Sequence, residues 1–143
     1  MQVFLRTLAL AMVVAGLSVE MSAATLEKLA LDEMVAKSTQ IVRGRVLSVA
    51  PIRRGAVIHT QATVQVIERW KGSEGQTVLV SIPGGSMDGI RQNVAGAPEI
   101  AIGREYVFFL WAGPSKVNQI IGLSQGLLDL KFDAKGVDRK SVV

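Results

Sequence analysis

Strict two-residue alternation governs the middle of this chain. In residues 41–49 (IVRGRVLSV), Val42, Gly44 and Val46 fall on one side of an extended chain and Arg43 and Arg45 on the other. Residues 57–70 (VIHTQATVQVIERW) repeat the pattern, with Ala62, Val64 and Val66 opposed by Gln61, Thr63 and Gln65. Two long strands of this kind, separated by a turn at residues 51–55 (PIRRG), predict an antiparallel hairpin with one face in a core. Gly44 is the exception on the apolar side. A glycine there weakens a simple strand and fits a bulge, strong coiling or a close backbone approach.

The same reasoning extends to both sides. Residues 77–82 form a third strand with Val78, Val80 and Ile82 inward, and Pro83 ends it because proline offers no N–H to a ladder. Gly84 and Gly85 permit a reversal, residues 86–94 hold at most a short strand around Ile90, and Gly96, Ala97 and Pro98 make another turn. Residues 105–111 are almost wholly apolar and predict a strand buried on both faces; residues 118–123 and 127–132 follow as a final pair. Ahead of the strands, residues 25–38 (TLEKLALDEMVAKS) carry Leu26, Leu29, Met34 and Val35 at helical spacing, with Thr25 as a cap. The expected fold is all-β: a small closed or partly open barrel of five to seven strands over residues 39–132, an amphipathic helix at 25–38 closing one side, and a flexible polar tail at 133–143.

Residues 1–24 stand apart. Arg6 precedes the apolar stretch 8–17 (LALAMVVAGL), and Ser22, Ala23 and Ala24 present small side chains for cleavage, the pattern of a secretory signal peptide. The apolar part is shorter than the roughly 20 residues a membrane span requires. After cleavage no transmembrane segment is expected, and the location is periplasmic or extracellular. The chain has no cysteine, which excludes disulfides and thiol chemistry and leaves the core to stabilise the fold. Its net charge is +4. Arg43, Arg45, Arg53 and Arg54 concentrate positive charge around the first hairpin and form a candidate basic surface. Without interleaved aromatic residues they fit a charged sheet edge better than a base-stacking platform.

No group of residues signals catalysis. His59 is the sole histidine, and with no cysteine a metal site would need several distant carboxylates. Ser86 in GGSMDG lacks the spacing of a nucleophile elbow, and its combination with His59 and Asp88 has no diagnostic spacing. Glu68, Asp88 and Glu99 read equally as solvent-facing side chains, and Trp111 as closure of a strand end. The glycine-rich passage lacks the Gly-Lys-Ser/Thr of a phosphate loop. Its length exceeds that of an ordinary hairpin turn, which makes Asp88, Arg91 and Gln92 the candidate partner-binding residues. No cofactor is expected.

The segments IVRGRV, TVQVIERWKG, VLVSIPGG, GREYVFFL and GLSQGLLDL, spread over residues 41–130, resemble a group of bacterial exported proteins. Their ordered elements are similar to the OB-like barrel of the netrin and tissue-metalloproteinase-inhibitor superfamily. Members of that superfamily bind proteins or inhibit metalloproteases. The inhibitors present an N-terminal cysteine to zinc and use disulfides, neither of which this chain has. The resemblance therefore implies the barrel and a non-enzymatic role, without that inhibitory mechanism. The expected function is binding of an exported protein or cell-envelope component. The alternative is an anionic polymer or single-stranded nucleic acid on the basic surface, with nucleic acid disfavoured by export.

Overall fold

The computed structural model describes residues 26–133 and 136–141, and side chains through residue 131. The signal-peptide stretch and Thr25 lie outside the described residues. The single described helix, α1 (Leu31–Lys37), is shorter than the 25–38 expected from the sequence. Gln125 explains the difference. Its Oε1 accepts from the Leu29 N–H at 2.7 Å and its Nε2 donates to the Glu27 carbonyl at 2.9 Å, so residues 26–30 form a non-helical strap. α1 starts only beyond that strap, where Glu33 reaches back to the Ala30 N–H at 2.9 Å. It stops at Ser38, whose N–H and Oγ both donate to the Met34 carbonyl. No described helix is long and apolar enough to cross a membrane.

The two alternating segments form β1 (Gln40–Arg54) and β2 (Val57–Lys71), paired antiparallel over nearly their full length. The reversal falls at Gly55 and Ala56 rather than across 51–55: Pro51 stays in the strand opposite Thr60. It is tolerated because β1 has its second neighbour, β6, only across residues 40–45, leaving the Pro51 edge without a ladder to interrupt. Gly44 sits buried inside, as its place in the pattern required. A Cβ there would lie 2.8 Å from the Gln65 carbonyl oxygen and inside the Val64 side chain. The register slips three times, at Leu47, Ile67 and Trp70. Each extra residue is a large apolar side chain turned out to solvent instead of into the core.

β3 (Thr77–Pro83), β6 (Glu105–Ala112), β7 (Asn118–Ile120), β8 (Leu127–Asp133) and β9 (Gly136–Ser141) complete a seven-stranded mixed sheet of order β1-β2-β3-β7-β6-β8-β9. β1 also pairs with β6, so the hydrogen-bonded neighbours run in a ring from β1 through β2, β3, β7 and β6 back to β1. Its weakest joint is β3 with β7, a single parallel bridge between Ser81 and Gln119. β4 (Gly85–Met87) and β5 (Ile90–Gln92) form a separate two-stranded hairpin. Two features differ from the sequence reading. The segments expected as a final pair do not pair with each other: β7 and β8 follow one another along the same edge of β6, parted at Phe109 by the loop 121–126. Part of the expected tail is β9, laid antiparallel on β8.

Inward side chains of β1, β2, β3 and β6, chiefly Val42, Val46, Ala62, Val64, Val80, Phe108 and Leu110, make the main core. A second cluster of Met34, Ile41, Val107, Phe109, Ile121 and Leu130 covers the outer face of β6, with Leu29 of the strap packed against it. This is why residues 105–110 are buried on both faces, as their composition implied, and what α1 exists to cover.

Candidate functional site

The passage after β3 is built by backbone geometry that favours glycine. Gly84 (φ +98°) donates its N–H to the Ile58 carbonyl at 2.8 Å, and its own carbonyl accepts from Thr60 Oγ1 at 2.9 Å. At Gly85 (φ +143°) a Cβ would stand 2.8 Å from Thr60 Oγ1. The chain is thus pressed against β2 and then turns outward into the β4–β5 hairpin. Asp88 and Gly89, at φ +52° and +75°, are the two residues of its turn. An Asp-Gly pair in left-handed conformation is what a tight hairpin of right-twisted strands requires.

Gln92 fastens this hairpin. Its Oε1 accepts from the Ile58 N–H at 2.7 Å and its Nε2 donates to the Ala56 carbonyl at 3.1 Å. The side chain is therefore spent within the protein rather than offered to a partner. Arg91 is exposed, with Nε donating to Asn93 Oδ1 at 3.3 Å. Residues 93–104 return to β6, held by the Ala101 N–H donating to the Tyr106 hydroxyl at 3.0 Å and by Ala97 and Ile100 packed on the core.

Between hairpin, return segment and sheet lies an open cleft of about 710 Å³. Val49, Thr60 and Ile82, on the inward face of their strands, form its floor; Gly84 and Gly85 line it without side chains, the N–H and carbonyl of Gly84 already bonded to Ile58 and Thr60; Arg91, Asn93 and Glu99 stand on its walls. The inward face that fills the core in the middle of the strands borders the cleft here, with Ile82 shared between the two. Of the three partner-binding candidates, Arg91 and Gln92 line the cleft, whereas Asp88 sits away from it at the hairpin turn. Ile82, Ile100, Asn93 and Glu99 also join the site. No local pattern in the sequence groups them, because their convergence depends on how residues 93–104 fold back.

The basic candidates divide. Arg43 donates to Glu105 Oε2 from Nε at 3.2 Å and Nη2 at 2.9 Å, and Arg45 Nη2 donates to Glu105 Oε1 at 2.6 Å. Arg43 also reaches Glu68 at 3.5 Å. Burial opposes ionisation of Glu105, but the hydrogen bonds and charges of the two guanidinium groups together outweigh it and hold its carboxyl below the ordinary range. Arg53 and Arg54 are exposed near the far end of the hairpin. The four arginines are therefore not one basic surface. Two are consumed by a carboxylate on the neighbouring strand, a partner that the spacing Arg-x-Arg alone does not reveal.

His59 points to the outer face, as alternation requires, and its Nδ1 lies 3.1 Å from the Ser81 hydroxyl rather than near Ser86 or Asp88. Desolvation, then the charge of Arg54, lowers its pKa and favours neutral imidazole. Glu68 stands on β2, Asp88 in the β4–β5 turn and Glu99 in the return segment. Trp111 is half-exposed and leans its ring over Gly113. Among the described residues, no three His, Cys, Asp or Glu side chains gather as a metal site would need. No family model, no curated protein and no solved structure matches the chain.

Proposed function

We propose that this is an exported, non-enzymatic binding module whose glycine-rich cleft receives a segment of another exported or cell-envelope protein. The observation that carries the reading is the make-up of the cleft. Apolar side chains on its floor at Val49 and Ile82, and one charge of each sign at Arg91 and Glu99, suit the mixed side chains of a polypeptide. A polyanion would find Glu99 opposing it. The ring of strand pairings supports an OB-like barrel, with β7 and β8 together occupying the place of its last strand. The location in the periplasm or outside the cell rests on residues 1–24.

The anionic-polymer reading on Arg43, Arg45, Arg53 and Arg54 loses its basis at the first two, which Glu105 and Glu68 pair between them. Capture from periplasmic and secreted fractions tests the main proposal. The wild-type protein should retain a partner that an Arg91→Glu, Glu99→Lys double variant loses. Asp88→Gly, off the cleft, should retain it. Equal recovery by all three would remove the cleft as the binding surface.

A further inference from the structure

On the other side of β2 and β3 lies a second cleft, of about 420 Å³, which shares no lining residue with the first. Alternation separates the two: Thr60 and Ile82 face the first, Gln61, Leu79 and Ser81 the second. β3 from Thr77 to Ser81 runs along it for about 13 Å. Residues 116–118 form the opposite wall.

Three cations line this cleft: Arg54, Arg69 and Lys116. Among the described residues none of them makes an ion pair, whereas Arg43, Arg45 and Arg104 are all paired with carboxylates. Glu74 is the one acidic residue of the lining and pairs with none of the three. Arg69 is held in place by neutral acceptors, Nη1 donating to Gln40 Oε1 at 2.5 Å and Nη2 to the Gly75 carbonyl at 3.1 Å. Its position is fixed and its charge is left uncompensated. The relay continues: Gln40 Nε2 donates to Asn118 Oδ1 at 3.1 Å, and Asn118 Nδ2 to the Leu79 carbonyl at 3.1 Å. Side chains from β2, β1 and β7 are thereby locked to β3 at the joint where the backbone supplies a single bridge.

Uncompensated cations in a concave polar surface raise its potential and attract anions. The remaining lining narrows the class. Ser73, Thr77 and Gln61 offer hydroxyl and amide groups, and half-exposed Leu79 offers a small apolar patch, a combination suited to a sugar ring with its hydroxyl edge and C–H face. The lining contains no aromatic side chain on which a nucleobase would stack. We infer that this cleft binds a short anionic oligosaccharide, its carboxylate or phosphate groups meeting Arg54, Arg69 and Lys116. The site is separate from the glycine-rich cleft and does not depend on the protein partner proposed for it.

Isothermal titration of the purified protein with tri-galacturonate, a phosphorylated trisaccharide and neutral maltotriose tests the inference. At least one anionic sugar should bind, more weakly as salt rises, and maltotriose should not. The arm that binds identifies the anion as carboxylate or phosphate. Arg54→Glu and Lys116→Glu alter exposed side chains without an internal ion pair and should each weaken binding by about ten-fold or more through charge reversal. Arg53→Glu, outside the lining, should leave it unchanged. Absence of binding by both anionic sugars, equal binding of maltotriose, or an equal loss in Arg53→Glu would each overturn the assignment. The salt series and the maltotriose comparison use only the wild-type protein, so they decide the question even if a variant fails to fold.

Discussion

Glu105→Gln should destabilise the protein by about 2–3 kcal/mol at neutral pH, and the loss should shrink as pH falls. The carboxylate is 7% exposed and accepts from two arginines, whose side chains are 19% and 49% exposed. A glutamine of the same shape keeps one acceptor but turns an N–H₂ donor toward the other guanidinium. Hydrogen bonds to charged groups contribute roughly 1.5–3 kcal/mol, and breaking a fully buried pair costs roughly 3–5 kcal/mol. Arg43 is the side of the triad that approaches the buried case, and even there Glu68 at 3.5 Å offsets part of the loss. Arg45 is half in water, where screening leaves a pair worth less than about 1 kcal/mol. These bounds place the total between the two limits.

The pH dependence separates charge from shape. The folded-state pKa of Glu105 lies below its ordinary value of 4.5. A depressed carboxylate contributes stability that is complete above the unfolded pKa, declines as pH falls through the folded one, and is gone below it. Glutamine has no such dependence. Urea unfolding of wild type and Glu105→Gln, at neutral pH and again below about pH 4, should therefore show midpoints that approach one another at unchanged slope. A gap that stays constant with pH would mean that the variant acts through packing alone. A gap under about 0.5 kcal/mol at neutral pH would mean that the triad is a solvated surface feature of the kind that usually contributes little.

Phe108→Ala removes a fully buried ring that meets Tyr106 edge-on at 5.8 Å; denaturant unfolding should show a loss of about 3–5 kcal/mol. Asp88 is exposed, but its φ of +52° means that Asp88→Ala should cost about 1 kcal/mol in the same assay while Asp88→Gly stays near neutral. Gly44→Ala, which drives a methyl into Val64 and the Gln65 carbonyl, should cost about 1–3 kcal/mol, read from the unfolding midpoint. Gln125→Ala should release residues 26–30, seen as loss of hydrogen-exchange protection at the Leu29 amide, and lower stability by about 1–2 kcal/mol.

Local pattern was legible wherever a single strand's own chemistry decided the outcome. Period-two alternation puts Val42, Gly44 and Val46 inward and Arg43 and Arg45 outward, and the structure has each of them there. The nearly continuous apolar run at residues 105–111 implies burial on both faces, and residues 105–110 are covered on both while Trp111 is half-exposed. What alternation cannot carry is the identity of the partner. Nothing in Arg-Gly-Arg names Glu105, because the register that joins Arg43 to Val107 and Arg45 to Glu105 is set by the β1–β6 ladder as a whole. Nothing in the helical spacing of Leu26 and Leu29 warns that Gln125, from the loop between β7 and β8, will take the backbone groups a helix would have used. The final segments illustrate the same limit: each is a strand by composition, yet whether they pair with one another or share an edge of β6 depends on the loop at 121–126 closing around Phe109.

The two clefts follow from one property of β2 and β3. Toward the glycine-rich passage their inward row reaches Thr60 and Ile82, where Ile82 belongs to the core and also borders the first cleft. Their outward row, Gln61, Leu79 and buried Ser81, lines the second cleft and is flanked by cations that no described acid neutralises. A one-residue slip of β2 would exchange the rows and put Gln61 in the core. The register that stabilises the fold therefore also keeps the clefts chemically distinct. Gln92 clamping Ile58 and Ala56 on one side, and the Arg69–Gln40–Asn118 relay on the other, secure that register from both faces.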